Sequence, residues 1–185
     1  MLGRPIQKTL TIATAITAAA LFPLNALAAD DDPLEVTVHK VSDTGVGEKI
    51  GTIRLSNDES GLVIDPDLKG LSPGAHGFHV HQNPDCGPKA PDGSTGAAKA
   101  AGGHYDPADA GKHAEPWGEG HKGDMPVLVV DQSGNADRPV LAPRLTVGTV
   151  IDRAIVIHEG GDNYADEPEK LGGGGPRVAC AVIKR

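Results

Sequence analysis

Six histidines and one aspartate have the residue types and the spacing to bind two metal ions that share one ligand. In chain order they are His79, His81, His104, His113, His121, Asp124 and His158. Imidazole nitrogen is a good ligand for copper and zinc, and a carboxylate oxygen can complete a zinc site. Metal ligands must be held at fixed distances, so the elements that carry these residues decide what the chain can do.

Three of the histidines are predicted to lie on two strands. His79 and His81 are two residues apart, so on a strand they share one face, while Phe78 and Val80 point to the other face and into the core. His158 ends a second apolar run. Three imidazoles on two rigid strands would set the geometry of a redox metal with little ordering of loops.

The other candidate ligands lie in a loop. His104, His113, His121 and Asp124 follow one another within 21 residues that are rich in glycine. Three imidazoles and one carboxylate complete a tetrahedral shell without an open position, as in structural zinc sites. A histidine-rich loop that scavenges metal without a defined site is the alternative.

The elements around these residues are predicted to be short strands. Alternating apolar segments separated by turn sequences predict about eight of them, whereas no long stretch has the 3.6-residue period of a surface helix. The segments are Leu34–Val41, Lys49–Leu55, Leu62–Ile64, Ala75–Gln82, Pro126–Asp131, Ala136–Leu141, Ile151–His158 and Arg177–Ile183. We therefore expect an all-β antiparallel sandwich or barrel, with two long functional loops over residues 83–125 and 159–176.

The first 28 residues are typical of a cleavable secretory signal. Basic Arg4 and Lys8 precede an apolar stretch that ends in Ala26-Leu-Ala28, and cleavage is expected after Ala28. A membrane anchor is the alternative, but the apolar stretch is short for a bilayer span. The predicted mature chain, residues 29–185, has the length of one domain.

Charge disfavours one class of partner, and the cysteine content predicts a disulfide. The predicted mature chain has 15 basic and 25 acidic residues, a net charge of −10 that disfavours nucleic acid as a partner. Cys86 and Cys180 are the two cysteines of the chain, and in an exported protein such a pair predicts one disulfide. A pair of thiolate metal ligands is the alternative, although no Cys-x-x-Cys spacing supports it.

The motifs together resemble the bacterial periplasmic copper/zinc superoxide dismutases, from the first strand to the end of the chain. The resemblance rests on Gly77-Phe-His-Val-His-Gln82, Gly102-Gly-His-Tyr-Asp-Pro107, Gly111-Lys-His113, Gly120-His-Lys-Gly-Asp124, His158-Glu-Gly-Gly-Asp162 and Gly172-Gly-Gly-Gly-Pro-Arg-Val-Ala-Cys180. It implies an eight-stranded Greek-key β-barrel, of the immunoglobulin-like sandwich type, in the periplasm.

The resemblance also implies a role for each candidate residue. The copper ligands would be His79, His81, His104 and His158, and the zinc ligands His104, His113, His121 and Asp124. His104 would bridge one copper and one zinc ion per subunit, and Asp162 would orient a histidine of each metal. Arg177 would hold the superoxide anion, which the enzyme would convert to dioxygen and hydrogen peroxide.

Several other residues have less specific interpretations. Trp117 lies in the region that bacterial relatives use for dimer contacts, so either a homodimer or a monomer is open. Four lysines in the loops would attract an anion or would be ordinary surface charge: Lys89, Lys99, Lys112 and Lys122. His76 and His39 are expected to be structural or exposed and not to be ligands.

Two other functions compete with the enzyme. A non-catalytic periplasmic copper or zinc buffer could use the same fold, but it would not need Arg177. A zinc hydrolase would need an open position on zinc, and Asp124 fills it.

Overall fold

A computed structural model describes residue 3 and residues 32–185 of the chain. Within these residues it contains ten β-strands: β1 (Leu34–Ser42), β2 (Gly45–Asp58), β3 (Gly61–Lys69), β4 (Gly74–His76), β5 (Phe78–His81), β6 (Leu128–Val130), β7 (Asn135–Ala136), β8 (Val140–Ala142), β9 (Arg153–His158) and β10 (Arg177–Ile183). One helical turn, α1 (Val147–Val150), and two 3₁₀ segments, Lys99–Ala101 and Lys170–Gly173, are the helical elements. The prediction of an all-β chain is confirmed, whereas the predicted signal falls, except for residue 3, outside the described residues.

Eight of the strands form one curled antiparallel sheet. Its order is β5-β9-β10-β1-β2-β3-β7, and β8 also pairs with β3, while β4 and β6 form a separate pair. The strands β1 to β3 follow one another through tight turns, since Ser42 pairs with Gly45 and Asp58 pairs with Gly61. The late strands β9 and β10 return to lie between β5 and β1, so the sheet joins distant parts of the sequence.

Two predicted strands are each divided in the structure. The segment predicted over residues 75–82 becomes β4 and β5, because the amide of Gly77 donates to the carbonyl of Gly160 and leaves the strand ladder. The segment predicted over residues 136–141 becomes β7 and β8, with Pro139 between them. Proline cannot donate a backbone hydrogen bond to a ladder, which explains the interruption.

The apolar faces of the strands meet in the predicted core. Phe78, Val80, Ile155 and Ile157 are all fully buried in one cluster with residues of β1 to β3. A smaller cluster surrounds the disulfide between Cys86 and Cys180, whose Cα atoms are 5.8 Å apart. The predicted disulfide is therefore present, and the alternative of two thiolate ligands is wrong.

Two long segments with little regular structure connect the strands, as predicted. The first runs from the end of β5 to the start of β6, and the second from the end of β9 to the start of β10. They cover the faces of β5 and β9 opposite the core, so that His79 and His81 are buried as completely as their apolar neighbours. Within the described residues, no helix has the length and apolar character needed to cross a membrane.

Candidate metal centre

A first group of four histidines surrounds one point between β5, β9 and the first loop. One ring nitrogen from each of His79, His81, His104 and His158 lies within 4.8 Å of the others. Four buried ring nitrogens have no hydrogen-bond partner: Nδ1 of His79 and Nε2 of His81, His104 and His158. All four rings are buried.

The remaining nitrogen of each ring has a partner that fixes the orientation of the ring. His79 Nε2 donates to Asp162 Oδ2 at 2.7 Å, and His104 Nδ1 donates to Asp124 Oδ1 at 2.8 Å. The other two rings donate through Nδ1 to backbone carbonyls, His81 to Gly102 and His158 to Gly175. Each ring is thus held with one nitrogen directed away from its partner.

These unpartnered nitrogens fit a bound cation. A buried polar atom without a partner costs about 1–3 kcal/mol, and most such atoms in proteins are satisfied. Four of them in one place are accounted for if they coordinate a metal. An all-imidazole set suits copper or zinc.

A second group lies in the first loop, around one carboxylate oxygen. Asp124 Oδ1 is 2.8 Å from His104 Nδ1, 2.9 Å from His113 Nδ1 and 3.4 Å from His121 Nδ1. The nitrogens of His113 and His121 are not directed at that oxygen as hydrogen-bond donors. Ligands about 2.0–2.1 Å from a tetrahedral zinc ion lie about 3.3 Å from one another. The His121 separation matches this value and the other two are shorter, so the three nitrogens converge on the carboxylate closely enough to hold an ion.

His104 is the residue that the two groups share. Its Nδ1 faces Asp124, while its Nε2 is one of the unpartnered nitrogens of the first group. Its ring centroid is 4.0 Å from that of His79 and 5.3 Å from that of His121. A single imidazole therefore lies between the two groups.

Asp162 connects the two groups from behind. Its Oδ2 accepts from His79 Nε2 at 2.7 Å, and its Oδ1 accepts from His113 Nε2 at 2.8 Å and from the amide of Tyr164 at 2.7 Å. Gly172, with φ of +74°, passes so close that a Cβ there would collide with Asp162 Oδ1. Glycine at this position leaves room for the bridge.

The first group is held uncharged in the absence of metal. Burial, reinforced by repulsion from His104, lowers the pKa of His79 to about 3 and that of His81 well below its usual value. Burial also lowers the pKa of His158 to about 4. Because a metal ligand must be neutral imidazole, these rings are already in the protonation state that coordination requires.

In the second group, one histidine has a raised pKa. Burial alone would lower the pKa of His113, but the carboxylates of Asp124 and Asp162 raise it to about 9. Burial alone would also raise the pKa of these carboxyls, but their histidine partners hold both pKa values well below the usual range. Without metal, the carboxylates are thus balanced by a protonated imidazole.

Arg177 lies beside the first group at the start of β10. Its register partner on β9 is His158, and a register shift between Arg177 and Ala179 marks a β-bulge. Bulges near active sites re-aim side chains. The guanidinium donates to the carbonyl of Ala98 at 2.7 Å and to that of Gly102 at 2.6 Å, and burial lowers its pKa. It lines an open cavity of about 280 Å³ with Lys99 and Asp92.

The two histidines predicted not to be ligands lie outside both groups. His76 is buried and contacts two backbone carbonyls, of His158 at 2.6 Å through Nδ1 and of Ser72 at 2.7 Å through Nε2. His39 lies on β1, where its Nδ1 donates to the carbonyl of Gly47. His76 is thus structural, as expected, whereas His39, expected to be an exposed strand residue, is only partly exposed on its strand.

Two residues near the site were missed by the sequence analysis. Asp166 accepts from the amides of His113 and Leu171, which ties the first loop to the second. Arg144 donates to three carbonyls of the first loop. The position of Arg144 in an apolar stretch, Leu141-Ala-Pro-Arg-Leu145, was a signal that could have found it, because a charged residue there needs partners.

Comparison with known proteins agrees with this geometry. Residues 49–183 match the family model for copper/zinc superoxide dismutase, which is most of the chain. The chain belongs to the copper/zinc superoxide dismutase family. The family is named for the two metals that the sequence predicts and that the two ligand groups suit.

Relatives in this family match the chain along most of its length. It is 53% identical over 151 residues to a copper/zinc superoxide dismutase of Salmonella typhimurium, covering 81% of this chain and 87% of that protein. Two solved structures of the family also match and are each covered completely, with 83% of this chain aligned. The enzyme from Brucella abortus is 44% identical with a TM-score of 0.79, and a monomeric enzyme from Salmonella enterica is 52% identical with a TM-score of 0.74.

Proposed function

We propose that this chain converts superoxide to dioxygen and hydrogen peroxide at a copper and zinc centre bridged by His104. The observation that carries the proposal is the placement of one imidazole between two ligand groups, with its two nitrogens facing opposite groups. Membership of the superoxide dismutase family supports the same activity.

The proposed ligand sets follow the two groups. Copper would be held by His79, His81, His104 and His158, and zinc by His104, His113, His121 and Asp124. The unpartnered ring nitrogens support the copper set, and the three imidazoles around one carboxylate oxygen support the zinc set. Zinc is proposed to be structural, since Asp124 completes its shell.

The protein supplies position and charge to the reaction. Bound copper supplies the one-electron oxidation of one superoxide anion and the one-electron reduction of a second, with two protons entering the hydrogen peroxide. The strands β5 and β9 fix His79, His81 and His158 before any metal binds. His104 Nε2 is buried and has no hydrogen-bond partner, so it is the atom of this ring that would face copper.

Arg177 is proposed to hold the substrate anion. Two of its donors are used by the carbonyls of Ala98 and Gly102, which keeps the guanidinium at the wall of the cavity. Gly102 also accepts from His81, so the same carbonyl fixes the arginine and a proposed copper ligand. Lys99 lines the same cavity, but Asp92 also lines it and offsets that charge, so Arg177 is the group that would attract an anion there.

The test is the variant Arg177→Ala, measured for both metal content and superoxide turnover. The loss of one charge-assisted hydrogen bond, about 1.5–3 kcal/mol, should lower the catalytic efficiency by roughly 10- to 100-fold. Metal content should stay unchanged, because Arg177 is not in either ligand set. Arg138→Ala removes the same charge from an exposed surface position and is the control.

The same measurements separate the enzyme from its competitors. A metal buffer would bind copper and zinc but show no turnover sensitive to copper chelation, in the wild type as in the variant. A zinc hydrolase would lose its activity when zinc alone is removed. Equal turnover of wild type and Arg177→Ala would contradict the role assigned to the arginine.

We also propose that the chain is exported to the periplasm and cleaved after Ala28, leaving one domain over residues 29–185. The basic, apolar and small-residue order of the first 28 residues supports this. The mass and the amino-terminal sequence of protein from the periplasmic fraction test it. A chain that retains residues 1–28 would contradict it.

Self-association through Trp117 is proposed as well. This side chain is 70% exposed, and its ring centroid is 6.5 Å from that of Tyr164. Exposed aromatic residues are enriched at protein interfaces. Sedimentation should give a dimer that Trp117→Ala weakens, whereas a wild-type monomer, the state named for the Salmonella enterica structure, would contradict the proposal.

A further inference from the structure

Arg144 is presented by a rigid part of the barrel. It lies between β8 and α1, and the residues around it, Ala142, Leu145 and Val147, are buried in the core. The helix α1 is capped by Thr146 through a reciprocal pair of bonds with Thr149. The backbone that carries Arg144 is therefore fixed independently of the metal loops.

The guanidinium of Arg144 reaches from this support into the first loop. Its Nε donates to the carbonyl of Pro116 at 2.8 Å, its Nη1 to that of Gly120 at 3.0 Å, and its Nη2 to that of His121 at 2.6 Å. Three carbonyls within six residues are gathered on one planar group. Such a fork holds a backbone turn in one shape, which a single flexible amine cannot do.

His121 is the zinc-group residue that most needs this support. Its side chain is 12% exposed, whereas those of His104 and His113 are almost fully buried. Its Nδ1 is also the farthest of the three from Asp124 Oδ1, at 3.4 Å. On the other side of the loop, its amide donates to the carbonyl of Lys112. The backbone of His121 is thus held from both sides, and its carbonyl is held by Arg144.

We propose that Arg144 is a positioning residue that sets the backbone of His121 and thereby retains zinc, without acting on the copper group. The inference rests on the zinc ligand set proposed above. Arg144 contacts no residue of the copper group directly, since its three partners all lie between Pro116 and His121. Its removal should therefore affect the two metals unequally.

The experiment compares zinc and copper release from fully loaded wild type, Arg144→Ala and Arg144→Lys, with a chelator in excess. Loss of an outer partner of a ligand commonly costs 10- to 100-fold in metal affinity, so Arg144→Ala should release zinc about 10- to 100-fold faster. Copper release should change by less than about 3-fold, well below that range. Arg144→Lys keeps the charge and should be intermediate. Arg138→Ala is the control for charge.

A second measurement is independent of metal and of turnover. Hydrogen exchange of the metal-free protein should show faster exchange over residues 116–121 in Arg144→Ala, with β5 and β9 unchanged. Zinc release equal to wild type, or loss of both metals in parallel with a general drop in stability, would overturn the inference. If the wild type binds no zinc, the proposed zinc set falls first and this inference falls with it.

Discussion

At the scale of single residues, Asp162 joins the two metal groups through one carboxylate. Both of its oxygens accept from histidine rings, His79 of the proposed copper group and His113 of the proposed zinc group. Its side chain is fully buried, so these bonds are its substitute for water. A change at this residue should therefore reach both metals, unlike a change at Arg144.

Asp162→Asn should lower the affinity for both metals by roughly 10- to 100-fold, the usual effect of losing a hydrogen-bond partner of a metal ligand. The Asn side chain has the same shape as Asp, but its NH₂ group cannot accept a hydrogen bond. It would therefore face a donor nitrogen of His79 or His113 without forming a bond. Chelator competition for copper and for zinc measures the effect, and Asp137→Asn at an exposed position is the control. Loss of one metal alone would show that Asp162 does not act as a bridge.

At the scale of elements, the sequence predicted what depends on local pattern. The strand alternation placed Phe78 and Val80 in the core and His79 on the opposite face, because side-chain direction follows from the strand alone. The division of residues 75–82 was not predictable, since it depends on a bond from Gly77 to Gly160, far along the chain.

The site shows the same division between local and distant information. Residue type and order were enough to propose His113, His121 and Asp124 as one group. The apolar surroundings of Arg144 indicate that its charge needs partners, but they do not identify those partners, which lie 23 to 28 positions away in the first loop.

The disulfide between Cys86 and Cys180 links the first loop to β10 covalently. Cys86 lies in the same loop as Ala98 and Gly102, the two carbonyls that hold Arg177. A disulfide typically contributes about 2–4 kcal/mol to stability, part of it by restricting the unfolded chain. Bond cleavage should therefore lower both the stability and the order around Arg177.

Reduction of the disulfide should lower the melting temperature and reduce superoxide turnover more than it reduces metal content. Calorimetry, metal analysis and superoxide turnover with and without a reductant measure this, and the double variant Cys86→Ser, Cys180→Ser should no longer respond to the reductant. Reduced and oxidised protein that melt alike with equal activity would contradict the coupling.

At the scale of the whole molecule, the metal-free protein should be most stable near pH 6.5. Histidine in the unfolded chain has a pKa of about 6.5. The folded pKa values are lower for His79, at about 3, and for His158, at about 4. Between these values and about pH 6.5 the unfolded chain binds more protons, so stability falls as the pH is lowered. His81, also shifted downward, adds to this acid limb.

The loss of stability at alkaline pH comes from a raised pKa and should be less steep than the loss at acid pH. The folded pKa of His113 is raised to about 9, so its contribution is complete below about pH 6.5 and is lost as the pH rises through about 9. Above about pH 6.5 one histidine loses its stabilising contribution, whereas below it at least three histidines destabilise the fold. Each unit of pKa shift corresponds to about 1.4 kcal/mol. Melting temperatures of metal-free protein from pH 4 to 10 test the asymmetry. Metal-loaded protein is the control, because its bound rings cannot take up protons until the metal leaves, and a metal-free profile that is flat between pH 4 and 7 would contradict the argument.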